Sequence, residues 1–276
     1  MNRYLVELRT LCDWQSRLGD PVLHWKRGAS AMELAIQWTM ASVRPGSGLP
    51  ECIEQVLKTV PGGDRCRVKL AIPELQTELE GKGKPSQTDL WLLLDTAVGF
   101  VSLSVEAKAD ESFGELTGSW LDVKKNEGRW VRLRSLCSEL GLESDGELVK
   151  ALMYQLLHRT VATLKEAREW KASAAVMLVQ CFGEGSRESE KSWQHFRDLC
   201  AALGADSRRG ELSRAVRVPG PMPLWIGWLD CPCASDRTVA DVLGQSRASL
   251  RSQLSRVHAE PSQVDPESMG GDTTAD

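Results

Sequence analysis

The chain has 276 residues, 42% of them hydrophobic, and a formal net charge of −4. That length can bury a full core, and the charge excludes a bulk-basic nucleic-acid binder, so any such contact must rest on a local patch. No apolar run approaches the ~20 residues of a membrane span, and the N-terminal stretch lacks the charged-apolar-small order of a signal peptide.

Eight cysteines are scattered, and Cys231-Pro-Cys233 is their one close pair. This spacing argues for a reduced cytoplasmic protein rather than a disulfide framework or a zinc site.

Residues 1–20 read as a helix with Leu5, Leu8, Leu11 and Leu18 as its apolar positions. His24 to Ser30 is a loop, followed by a helix over about Ala31–Ala41. Ser30 is its expected N-cap, with Glu33 placed as in a capping box. Pro45 to Pro50 ends it, and a further helix covers Glu51–Thr59. Arg67–Leu79 reads as one strand interrupted near Pro73. Leu90–Leu94 and Phe100–Val105 read as a hairpin closed by Asp95–Gly99. Helices are expected near Trp130–Leu140, over Gly146–Trp170 with a strong apolar stripe, and near Ser192–Leu203. Ala174–Phe182 reads as a buried strand and Pro223–Leu229 as a last strand. Val239–His258 looks helical. From Ala259 the tail holds five acidic residues, no lysine or arginine, and much Pro, Ser and Gly; it is expected to be disordered, and without it the body carries about +1. Residues 1–258 are expected to form one domain, with a core over about 29–182 and a C-terminal elaboration over 183–258.

The informative residues lie on the hairpin. A turn centred between Ala97 and Val98 sets Asp89 opposite Glu106, with Cβ atoms about 4.5–5.5 Å apart. Alternation puts Glu106 and Lys108 on one face and Ala107 on the other. Like charges facing across a ladder are destabilising unless a cation neutralises them. Acid and lysine at a strand end are also common without function, and E-x-K alone is a weak pattern.

With the element order behind them, Asp89, Glu106, Ala107 and Lys108 resemble the motif of the PD-(D/E)XK nuclease superfamily. The likeness covers about residues 29–182. It implies an α/β restriction-endonuclease-like core: a central mixed sheet flanked by helices, in the order α-β-β-β-α-β with extra helices. Thr88 stands where the motif has proline. More narrowly, the stretches around His24, Ser30, Ser86-Gln-Thr-Asp89, Val105 to Gly114 and Tyr154–Thr160 are similar to a group of small bacterial proteins with this core; that likeness brings no activity with it.

The resemblance implies Asp89 and Glu106 as carboxylate ligands of Mg²⁺ or Mn²⁺, with the Ala107 carbonyl as a third ligand. It implies Lys108 as the residue that positions or deprotonates water and stabilises transition-state charge. Glu33 resembles a helix glutamate aimed at the metal, often through water, and equally fits the capping box. Gln155 resembles a helix glutamine of exonuclease-like members, which carry a tyrosine four residues on; here that position is Arg159, able to grip a phosphate. His158, Glu111 and Glu74 are further candidates, with the cap of the next helix the preferred reading for Glu111.

Lys124, Lys125, Arg129, Arg132 and Arg134 form the densest basic run, with Trp130 inside it, and Arg208, Arg209, Arg214 and Arg217 form another. Each is expected either to follow a phosphate backbone or to be a solvated helix face. The expectation is a metal-dependent nuclease in the cytoplasm, acting on DNA in defence or repair, alone, as a homodimer or in a larger complex. The alternative is a catalytically silent module of the same fold that binds nucleic acid or protein.

Overall fold

The structure is a computed structural model and describes residues 10–81, 83–122, 127–183 and 185–244. Its elements run α1 Leu11–Gln15, α2 Pro21–His24, α3 Ser30–Val43, α4 Glu51–Leu57, β1 Arg67–Thr77, β2 Ser86–Thr96, β3 Gly99–Lys108 and α5 Thr117–Asp122. They continue with α6 Glu127–Leu140, α7 Glu147–Ala151, α8 Tyr154–Glu169, β4 Ala174–Phe182, α9 Arg187–Leu203, β5 Glu211–Arg214 and β6 Leu224–Cys231. A last helical stretch covers 236–244. The expected acidic tail, the rest of that helix, and residues 1–9 lie outside the described residues.

The architecture is mixed α/β, with one six-stranded open sheet in the order β1-β2-β3-β4-β6-β5. β1, β2 and β3 form an antiparallel meander, β4 and β6 add in parallel, and β5 closes the far edge antiparallel. All nine residues of β4 are buried, as befits a central strand covered on both faces, whose sequence is a near-continuous apolar run. On one face, Val179, Met177 and Ile226 pack with Leu136, Leu156, Leu157 and Leu199 of the helices. On the other, Leu92, Leu103 and Leu178 pack with Leu34, Trp38 and Ile53 of α3 and α4.

The hairpin turn is the two residues Ala97 and Val98, with Thr96 opposite Gly99 and Leu90 opposite Val105. Gly99 has φ 116°, a region in which a side chain is strained and which glycine enters freely. The Thr96 hydroxyl accepts from the Val98 N–H and donates to the Gly99 carbonyl. The register is the one that turn symmetry predicts.

Three expectations need correction. The helix expected over Gly146–Trp170 is two helices, broken at Leu152 and Met153. There the backbone turns extended to meet Glu115–Thr117, through Thr117 N–H to the Leu152 carbonyl and Tyr154 N–H to the Glu115 carbonyl. The apolar stripe runs through the break because both residues are buried. Second, β5 was not expected; four residues are too few for a periodic signal. Third, α3 begins one residue early, with Ala29 as N-cap and no side-chain cap, so the Ser30–Glu33 capping box does not form.

Candidate active site

A cleft of about 570 Å³ opens at the sheet end where β3 finishes pairing with β2, between α8 and the N-terminal segment. It is lined by Glu74, Asp89, Glu106, Ala107, Lys108, Glu111, Gln155 and Arg159 among others. The β1–β2 register flanks Glu74 and Asp89 with the pairs Pro73↔Leu90 and Leu75↔Thr88. The β2–β3 register sets Asp89 next in line opposite Glu106. Glu74, Asp89 and Glu106 therefore form one acidic rung across three strands.

Glu106 is buried and bonded at both carboxylate oxygens. Its Oε1 accepts from Gln155 Nε2 at 2.6 Å and pairs with Lys108 Nζ at 3.0 Å; its Oε2 accepts from Arg159 Nε at 2.6 Å. Burial works to raise its pKa, but Arg159 and Lys108 outweigh burial and hold the carboxyl below its ordinary value. Asp89 accepts the Ala107 N–H on Oδ2 at 2.7 Å. Burial, then Glu106 and Glu74, push it well above the ordinary carboxylate range. Glu74 accepts from Gln87 Nε2 at 2.6 Å, and burial lifts its pKa to about 7. It also holds φ 55°, a conformation costly to a residue with a side chain and concentrated at functional sites. Lys108 is pulled down by burial, but Glu106, Asp89 and Glu111 outweigh that and keep it protonated beyond the usual range.

The cleft lining carries five carboxylates (Asp20, Glu74, Asp89, Glu106, Glu111) against three cationic side chains (Lys84, Lys108, Arg159). The carboxylates outnumber the lysine and arginine cations by two. Among the described residues, no group of three or more His, Cys, Asp or Glu is gathered as ready-made metal ligands; Glu106 spends both oxygens on its protein donors. The donor chemistry still fits a hard divalent cation, which takes carboxylates, a carbonyl and water. The two raised carboxyls are groups that protons or such a cation must neutralise. Ala107 offers its carbonyl on the side of β3 that carries its N–H, toward Asp89.

The helix residues divide. Gln155 and Arg159 reach the cleft from the start of α8, and Arg159 Nη1 also donates to Ser86 Oγ at 3.0 Å. Ser86 Oγ lies 2.9 Å from His158 Nδ1. Ser86 Oγ thus bonds both side chains and ties Arg159 to His158. Burial, then Arg159, lower His158 to about 3, so it is neutral. Glu111 lines the cleft rather than capping α5.

Glu33 is not in the cleft. Its carboxylate accepts from Arg27 Nε, the Gly28 N–H and the Ala234 N–H at 3.2, 2.9 and 2.7 Å, and so ties two loops to α3. Arg132 is likewise corrected. It is buried, and its guanidinium donates to the carbonyls of Leu79, Glu80, Gly81 and Lys84, which fixes the β1–β2 connection instead of meeting a phosphate. Arg129 donates to the Trp120 carbonyl and lies 5.2 Å over its ring. Lys124 and Lys125 lie outside the described residues, and Trp130 packs partly buried on the core. In the second run, Arg209 pairs with Asp230 and Glu190, and Arg217 donates to helix carbonyls of α9.

Glu74 is the residue that sequence reasoning placed least firmly. Its register depends on the long β1–β2 connection, which gives no turn symmetry to count from. Among the described residues, no helix is long and apolar enough to cross a membrane. No curated protein and no solved structure matches the chain. A family model spans residues 7–233, and on that match the chain belongs to the family described as domain of unknown function DUF6946.

Proposed function

We propose that the protein is a Mg²⁺- or Mn²⁺-dependent nuclease that hydrolyses a phosphodiester in the acidic cleft. The observation that carries this reading is the rung Glu74, Asp89, Glu106 with Lys108 on the same face, 3.0 Å from Glu106. The element order, an antiparallel meander followed by helices and a parallel strand, supports a restriction-endonuclease-like core. The resemblance extends the reading to DNA, to a role in defence or repair, and to a homodimer or larger complex.

Asp89 and Glu74, with the Ala107 carbonyl, would hold the cation, and Glu106 would join by giving up one of its donors on Oε1. When bound, the cation supplies Lewis-acid polarisation of the phosphoryl group and a lower pKa for water. Lys108, held charged, orients the attacking water and offsets charge that develops on the phosphoryl oxygens; a base that is already protonated does not accept a proton. Arg159 fixes Glu106 and keeps Gln155 and Lys108 aligned on it.

A second reading is a catalytically silent module that binds nucleic acid or protein. The pairing of Glu106 with Arg159 and Lys108 favours it, because charge balance at that carboxylate is met by the protein itself. The two readings separate on incubating the protein with single- and double-stranded DNA and RNA in Mg²⁺ or Mn²⁺. The nuclease reading expects cleavage that drops by about 100-fold or more in Lys108→Ala. No cleavage of any substrate would leave the silent module, and equal cleavage by Lys108→Ala would overturn the nuclease site proposed here.

A further inference from the structure

Beside the acidic cleft lies a second pocket, of about 530 Å³, lined by Lys84, Trp120, Arg129, Arg132, Tyr154 and His158 with the backbone around Gly83 and Pro85. Among the described residues no carboxylate lines it, in contrast to its acidic neighbour. The two cavities share a wall. Lys84 lines both, and Ser86 Oγ bonds Arg159 on one side and His158 on the other.

The pocket is built rather than incidental. The Trp120 and Tyr154 rings stack at 3.8 Å and 10°. The Thr117 N–H and hydroxyl both bond the Leu152 carbonyl, the Tyr154 N–H bonds the Glu115 carbonyl, and Leu116 bridges Met153. These contacts clamp the two ring-bearing segments together and are the reason the long helix breaks where it does. His158 follows 5.0 Å from Tyr154, and the Arg129 guanidinium lies 5.2 Å from the Trp120 ring. Arg132, by holding four carbonyls of the β1–β2 connection, sets Lys84 between the cavities.

We infer that this pocket takes one unpaired nucleotide of the strand whose phosphodiester lies in the acidic cleft. The inference rests on the nuclease reading and adds the substrate class, single-stranded nucleic acid. Lys84 and Arg129 meet the nucleotide's phosphate, the Trp120–Tyr154 pair meets its base, and the His158 ring on the same wall hydrogen-bonds the base edge. Aromatic contact with a base tolerates any sequence, because every base has a π-face. A concave pocket admits a base only when that base has left its stack, so a base-paired duplex does not fill it.

The test measures binding without metal, so that it stands apart from cleavage. A fluorescein-labelled oligothymidylate and a blunt duplex of equal length are titrated with the full chain in EDTA, by anisotropy at several salt concentrations. The parent binds the single strand at least about tenfold tighter than the duplex. Trp120→Leu and Arg129→Gln each lose about tenfold, and Lys84→Ala and Arg129→Gln each flatten the salt dependence by about 0.7 in log–log slope. Lys191→Ala, which removes a surface cation on α9, changes neither. Thermal melts check the folding of each variant, and the Lys84 and Arg129 variants decide the matter if Trp120→Leu unfolds. Equal binding of duplex and single strand, or unaltered binding and salt slope in the folded Lys84 and Arg129 variants, overturns the inference. Binding as described without cleavage in Mn²⁺ retires the nuclease reading and keeps the pocket; cleavage with unaltered binding in the variants does the reverse.

Discussion

Arg159 Nε lies 2.6 Å from Glu106 Oε2, and the two side chains are only 11% and 3% exposed. A pair this buried is costly to break from one side, because the partner's charge is left uncompensated. Arg159→Ala should therefore destabilise the protein by about 3 kcal/mol in urea unfolding. Added Mn²⁺ should raise the melting temperature of the variant more than that of the parent, since a divalent cation can take over the neutralising role. A loss below 1 kcal/mol, or no Mn²⁺ effect, would show that the pair is not holding the cleft together.

Asp89 and Glu74 give the cleft a pH signature. Both carboxyls are raised in the folded state, Glu74 to about 7, so the folded protein binds protons that the unfolded chain has released. The stability they contribute is present at low pH and is lost as pH rises through their folded values. Asp89→Asn mimics the protonated acid and can still accept the Ala107 N–H. It should melt about 3 °C above the parent at pH 8 without metal, and the difference should shrink toward pH 5. His158 works in the other sense: with its pKa lowered to about 3, it removes stability as pH falls below its ordinary value. It is common to both proteins and cancels in the comparison.

Glu33 and the rung should part cleanly under mutation. Glu33→Ala leaves the Gly28 and Ala234 N–H groups without their acceptor and should cost about 2–3 kcal/mol. It should leave Mn²⁺ affinity, read by calorimetry, within about twofold of the parent, whereas Asp89→Ala should abolish binding.

Arg132 is predicted to be structural. Arg132→Lys replaces a planar fork that serves four carbonyls with a single ammonium and should destabilise by about 2 kcal/mol. Arg134→Lys, on an exposed residue of the same helix, should change stability by less than about 0.5 kcal/mol.

The contrast between these residues shows what the sequence carries. Turn symmetry around Ala97 and Val98 is local, so the facing positions of Asp89 and Glu106 can be counted from it. β4 is legible because burial on both faces leaves an unbroken apolar run from Ala174 to Phe182. Where a side chain points after several elements have met is not local. Glu33 carries the right charge on the right helix, yet Arg27 and the Ala234 N–H claim it. Arg132 sits in a run that reads as basic surface, yet four carbonyls draw it inward. The break at Leu152 and Met153 is set by a backbone partner more than thirty residues away, and neither residue signals it. Glu74 reaches the rung through a positive φ that no residue pattern around Pro73 announces.

The most direct test of the metal claim is a crystal of the protein soaked in Mn²⁺, read by anomalous scattering. The account predicts one strong peak in the acidic cleft, at about 2.1–2.2 Å from a carboxylate oxygen of Asp89, with Glu74 or Glu106 and the Ala107 carbonyl among its ligands. A well-ordered cleft with no peak at Asp89, with Glu106 still held by Lys108, Gln155 and Arg159, would contradict it.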